Sequence, residues 1–299
     1  MSQWLNKNER GANWTMQLMI ALCRRRYRWL VGLLLYPIVA YFFITGRAAH
    51  RASRHFYTRV KGHGSWADYY RQLLNFSRCL VDRVTILTGE AEQFDIQSEG
   101  REELLQVSHS GQGLIMLGSH LGSFEACKLL ARDRMDITIH IVAYFAGSTK
   151  VRQALDNINP DLQTHFIDPT EEGAIFKMRD VIDAGGILAI LGDRTGIGEK
   201  KVRVDFLGKE ADLPSGPYYL AAILKCPLFC FFGVRTGDYA YHTYAIKLAD
   251  RLELVRGQRQ QQVQQYAQQY ADLLAEKARA YPDNWFNFYE FWQPPSVKE

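Results

Sequence analysis

Short stretches in which nearly every residue is apolar recur along this chain, each set off from the next by a segment with helical spacing. They are GLIMLGS (113–119), ITIHIVAYF (137–145), HFIDP (165–169), GILAILG (186–192), PLFCFFGVR (227–235) and YHTYAIKLA (241–249). A strand that is apolar on both faces needs cover on both faces, which is the situation of a mostly parallel sheet between helical layers. Between these runs, residues 171–184 and 216–225 carry helical periodicity, as do residues 65–89, 99–109 and 256–280 around them. The class expected is α/β, a mostly parallel or mixed central sheet flanked by helices. The glutamine-rich stretch 256–280 qualifies as a helix because Val263, Tyr266, Tyr270, Leu273 and Leu274 share one face. The aromatic tail YPDNWFNFYEFW (281–292) is read as a strand or turn packed on the body.

At 299 residues and 47% hydrophobic, the chain can bury one substantial core. The net charge of +4 is unevenly placed. From Arg10 to Ala67 there are ten basic residues and no acidic one, so the remainder carries 26 basic against 32 acidic side chains, a balance of −6. The basic residues bracket the apolar run WLVGLLLYPIVAYFFIT (29–45). Basic segments suit nucleic acid or anionic lipid, and an apolar run between two basic clusters decides for lipid, with no nucleic-acid partner. The run therefore reads as an N-terminal hydrophobic helical anchor. Seventeen residues of helix reach about 26 Å, short against a hydrocarbon core of roughly 30 Å. Pro37 and Gly32 allow a kink, and positive charge on both flanks leaves the orientation rule without a vote. A spanning helix and an interfacial one both stay open, beside the plainer reading of a buried core helix. The expected division is a basic N-terminal anchor segment over 1–61 and a main domain over 62–299. Five scattered cysteines without a C-x-x-C pair fit reduced thiols facing a cytosol.

The chemistry is sought where an apolar strand ends. GLIMLGSHLGSFEACKLL (113–130) places His120 and Glu125 at the join between a strand and a helix. The spacing alone is weak: eight histidines and 32 acids predict about one chance occurrence of H-x4-[DE] in a chain of this length. The other occurrence, His63 with Asp68, has no strand before it and serves as the chance control. Residues five apart in one helix diverge by about 140°, so His120 and Glu125 meet only if His120 sits on the entering turn. Gly122 eases such a turn, and Ser123 can cap the helix that follows. A neutral imidazole can take a proton from an attacking hydroxyl while a carboxylate on its other nitrogen fixes the tautomer. The N–H groups over residues 121–124 are candidates to receive a developing oxyanion. Ser119 and Cys127 are weaker candidates for a covalent acyl group. The histidines show no metal-ligand spacing, and neither a metal nor a cofactor is expected.

With these residues in view, the sequence resembles the bacterial lipid A late acyltransferases, the lauroyl and myristoyl transferases, within the wider lysophospholipid acyltransferase group. The likeness rests on the N-terminal hydrophobic run, on HLGSFE after a strand, on ILGDRTG…VDFLGKEADLPSGPYYLA, and on the closing YPDNWFNFYEFW. It implies an acyltransferase of the inner membrane with its catalytic domain facing the cytosol. An acyl thioester, carried by acyl carrier protein or coenzyme A, would donate to a hydroxyl of a membrane lipid or glycolipid. His120 would be the general base and Glu125 its partner. Asp193 would orient the acceptor or pair with a basic group, and Arg194 would hold a phosphate or the donor's acidic arm; an ion pair closing the loop weighs equally. Gly122 and Ser123 complete the substrate-side set. Lys150 and Arg152 read as solvated surface charge. Relatives acylate several kinds of lipid, so the acceptor stays open. A catalytically silent lipid-binding protein and a thioester hydrolase are the competing readings.

Overall fold

A computed structural model describes residues 28–87, 91–126, 138–142, 165–195 and 200–292. The apolar runs become strands of one seven-stranded sheet: β1 (Asp95–Glu99), β2 (Leu114–Gly118), β3 (Ile139–Val142), β4 (His165–Ile167), β5 (Ile187–Leu191), β8 (Leu228–Gly237) and β9 (Ala240–Ala249). Their order is β1-β9-β8-β2-β5-β3-β4. Every neighbouring pair is parallel except the hairpin β8–β9. The class is thus mixed α/β with a mostly parallel sheet, as expected. β2 lies at the centre with all five of its residues buried.

Two features differ from the expectation. β1 is a polar edge strand, mostly exposed, and so carries no apolar signature. A separate antiparallel pair, β6 (Lys201–Phe206) and β7 (Lys209–Pro214), occupies a region to which the sequence reading assigns no element. Its signal was the alternation in KVRVDF, with every second residue buried. Leu207 and Gly208 both take positive φ at the turn, as a two-residue hairpin of this twist requires. β6 delivers Phe206 into the main core beside Trp285 and Trp292.

Seven helices lie among the described residues: α1 (Arg28–Thr45), α2 (Arg47–Lys61), α3 (Trp66–Leu87), α4 (Arg101–His109), α5 (Ala174–Asp183), α6 (Gly216–Leu224) and α7 (Arg259–Ala280). The glutamine-rich segment is helical, with Val263, Tyr270 and Leu274 buried. α3 opens on a reciprocal cap: the Ser65 N–H donates to Asp68 Oδ2 at 2.9 Å and the Asp68 N–H to Ser65 Oγ at 3.2 Å. Lys61 and Arg71 pair with the same carboxylate. Asp68 is therefore occupied at a helix start, in keeping with its treatment as a chance match to His63.

The apolar run 29–45 does form a helix, but no single described helix is long and apolar enough to cross a membrane. α1 and α2 instead form a pair bent by 88° at Gly46. One stripe of α1 packs on α3: Val31 and Leu35 with Val81 and Val84, and Val39 with Tyr69 and Leu73. The rest of its surface is apolar and exposed, including Trp29, Leu33, Leu34, Ile38, Phe42 and Ile44. The buried-core reading thus holds for one stripe only. The expected boundary at 61/62 falls at the end of α2, whose Phe56 and Tyr57 belong to the main core.

Candidate active site

Register explains the site. β2 and β5 are adjacent parallel strands with Gly118 opposite Leu191, so two residues further along each chain His120 meets Asp193. Both side chains stand at the carboxyl edge of the sheet, where open α/β folds place their functional groups. His120 Nδ1 lies 2.8 Å from Asp193 Oδ1, and the His120 backbone N–H donates to Asp193 Oδ2 at 2.9 Å. The Asp193 side chain is fully buried, while that of His120 keeps 26% exposure.

Burial alone would raise the Asp193 pKa. The charge and hydrogen bond of His120, the nearby Arg194 guanidinium and the His120 N–H outweigh it and hold the carboxyl at about 2. An ionised carboxylate only accepts hydrogen bonds. The Nδ1 position of His120 therefore carries the proton, and in the neutral ring Nε2 is the basic atom.

The loop after β2 is pinned from both sides. Gly122 has φ +77°, and a Cβ there would lie 2.0 Å from the Gly233 carbonyl oxygen. The Gly122 N–H donates to Asn284 O at 2.7 Å and the Ser123 N–H to Gly233 O at 2.8 Å. The Leu121 N–H donates to Ser119 Oγ at 3.2 Å. Three of the N–H groups expected to receive an oxyanion are thus already engaged within the fold, which corrects that part of the expectation for Gly122 and Ser123. Both residues shape the loop. Ser123 precedes a three-residue turn of 3-10 helix, Phe124–Ala126, where the Ala126 N–H donates to Ser123 O. Ser119 is buried, as is Ser123.

The expected pair His120–Glu125 meets a different arrangement. The Glu125 backbone lies on the 3-10 turn, and its side chain, with Cys127, Lys150 and Arg152, lies outside the described residues. Among those that are described, the carboxylate on Nδ1 is Asp193. The resemblance implies that Asp193 orients the acceptor or pairs with a basic group. It pairs with His120, and with its side chain fully buried it has no surface left for the acceptor. Arg194 is half-buried. Its Nε donates to Asn287 Oδ1 at 2.6 Å and its Nη2 to Phe286 O at 3.2 Å, and its guanidinium lies 5.3 Å from the Tyr289 ring centroid.

The aromatic tail supplies what sequence reading missed. Trp285 is wedged between Phe56 of α2, Phe206 of β6 and Phe291, with ring centroids 5.3–5.4 Å apart. Its backbone pairs with Leu121, and the Phe286 N–H donates to His120 O at 2.8 Å. The tail is thereby laid along the loop that carries His120. Asn287 Nδ2 donates to Asp193 Oδ2 at 2.9 Å.

This arrangement of a basic imidazole nitrogen, a buried orienting carboxylate and a loop at the sheet edge is suited to removing a proton from a hydroxyl. The sequence model of the bacterial lipid A biosynthesis acyltransferases matches residues 71–293. The chain belongs to that family. It is accordingly an acyltransferase acting on lipid, with the matched region running from within α3 to the end of the aromatic tail and including His120, Asp193, Arg194 and Asn287. A comparison with individually curated proteins finds no match.

Proposed function

We propose that this lipid A acyltransferase family member transfers an acyl group from a thioester, on acyl carrier protein or coenzyme A, to a hydroxyl of a membrane lipid or glycolipid. His120 acts as general base. Its Nε2 takes the hydroxyl proton as the alcohol oxygen attacks the thioester carbonyl; the tetrahedral intermediate collapses with C–S cleavage, and the imidazolium returns the proton to the leaving thiolate. Asp193 holds the ring in the tautomer required and stabilises the imidazolium, which is why Asp193 rather than Glu125 receives the orienting role. The observation that carries this reading is the Asp193–His120 pairing at the edge of the sheet.

The chain works at the cytosolic face of the bacterial inner membrane. The exposed apolar surface of α1 supports this, as do Arg47, Arg51 and Arg54, exposed on α2 just beyond the bend. An apolar helix face beside a basic one fits an anionic bilayer surface. α1 then lies in the interface with its buried stripe on α3.

The test is a transfer assay with a labelled acyl thioester and bacterial lipid vesicles. The expected product is an acylated lipid that disappears in His120→Ala, while that variant stays vesicle-bound. Free fatty acid without acylated lipid would mean a hydrolase. Unchanged transfer in His120→Ala would overturn the proposal.

A further inference from the structure

Asn287 sits between two charged groups that would otherwise compete for each other. It is buried, 1% exposed, and its side-chain amide spans from Asp193 to Arg194. The Nδ2 end donates to the carboxylate and the Oδ1 end accepts from the guanidinium. This orientation is forced, because a carboxylate cannot donate and a guanidinium cannot accept. A buried amide needs partners at both ends to offset its desolvation, and here both partners are charged.

Arg194 follows Asp193 directly in sequence, and arginine with carboxylate forms the strongest bidentate pairing available to side chains. Yet Arg194 sends its Nε to Asn287 and its Nη2 to the Phe286 carbonyl, with the Tyr289 hydroxyl as a further side-chain partner; Tyr289 and the buried Tyr270 are the other titratable groups facing Asp193. Asp193 accepts from the His120 N–H and Asn287 Nδ2 on Oδ2, leaving Oδ1 to the His120 ring. We infer that Asn287 is a positioning residue that keeps Asp193 committed to His120 by holding Arg194 away from the carboxylate. Without it, Arg194 turns onto Asp193, the negative charge beside the ring is neutralised, and His120 loses basicity.

The location fits this role. Asn287 reaches the site only because Trp285 is wedged between α2 and β6 and the Phe286 N–H is tied to His120 O. The same tail that fixes the catalytic loop therefore sets the amide at its station.

This inference rests on His120 being the base, and its test separates the two. The pH dependence of kcat/KM for acyl transfer is measured with the full chain on vesicles for wild type, Asn287→Leu, Asn287→Asp and His120→Ala. Asn287→Leu lets Arg194 reach Asp193, so the acid limb is expected to move to lower pH by about one unit, with turnover reduced about tenfold or more. Asn287→Asp keeps the size and draws Arg194 to itself; its second oxygen faces Asp193 Oδ2, where two carboxylates raise each other's pKa, and above that pKa the added negative charge near His120 moves the acid limb to higher pH. Shifts of opposite sign are not produced by a loss of folding. Asn287→Asp, close to isosteric, also serves if Asn287→Leu fails to fold. An acid limb unmoved in the variants that fold would overturn the role of Asn287 while His120→Ala remains inactive. Wild-type activity in His120→Ala would instead remove the base assignment on which this role depends.

Discussion

Asp193 grips His120 at two points, receiving the ring Nδ1 on one carboxylate oxygen at 2.8 Å and the backbone N–H on the other at 2.9 Å. A single buried carboxylate thus fixes the ring's tautomer and the loop that carries the ring. The relation comes from strand register: β2 and β5 run side by side, and the two residues lie the same number of positions past the pair Gly118–Leu191.

Because Asp193 occupies Nδ1, exchanging it for a neutral isostere is expected to cost more than the same change at Glu125. Asp193→Asn can donate to Nδ1 and so favours the wrong tautomer; the expected loss in kcat is on the order of 10³- to 10⁴-fold. Steady-state transfer rates of Asp193→Asn and Glu125→Gln measured side by side check this. A larger loss at Glu125 would return the orienting role to that residue.

Gly122 combines φ +77° with a carbonyl oxygen 2.0 Å from where a Cβ would stand. Gly122→Ala is expected to destabilise the protein by at least about 2 kcal/mol and to abolish transfer by moving His120. Gly62, at φ +83° with open space around it, is the control. Gly62→Ala should bear the cost of its φ alone, roughly 1–2 kcal/mol, and leave transfer intact.

Acid should weaken the fold through Asp68 and Asp193. Both carboxyls are lowered from the ordinary 3.8 to about 2 although burial pushes the other way: Lys61 and Ser65 hold Asp68, and His120 and Arg194 act on Asp193. A carboxyl depressed in the folded state contributes stability that is fully present above its unfolded pKa and is lost as pH falls through the folded one. Unfolding midpoints in denaturant should therefore fall between about pH 4 and pH 2. Asp68→Asn should flatten that fall.

Reversing the charge on the outer face of α2 should release the protein from anionic vesicles. Each basic residue near such a surface contributes about 1 kcal/mol. The triple change Arg47→Glu, Arg51→Glu, Arg54→Glu is thus expected to weaken partitioning by at least about 100-fold. Flotation with anionic and neutral vesicles reads the effect. Leu33→Asp with Ile38→Asp, on the exposed face of α1, should weaken binding to both kinds of vesicle.

Much of this organisation was legible in the sequence because it is local. The continuous apolar runs marked the buried parallel strands, and the periodicity in 256–280 marked α7 despite its glutamines. Gly122 announced a turn that only glycine makes easily. β1 escaped because an edge strand needs no apolar pattern, and β6–β7 escaped although KVRVDF alternates. The site was half legible: His120 stood at the end of a strand, but its partner was sought nearby in sequence. Asp193 is 73 positions away, and nothing local says that β2 and β5 are neighbours. Asn287 was hidden among aromatic residues, since its role depends on where Trp285 is wedged.

The most direct test of the central pairing is a double-substitution cycle on acyl transfer, with single-turnover rates for His120→Ala, Asp193→Asn and the two combined. If Asp193 acts through His120, the double variant should be no slower than His120→Ala alone. Losses that multiply, or a His120→Ala enzyme that transfers at the wild-type rate, would contradict it.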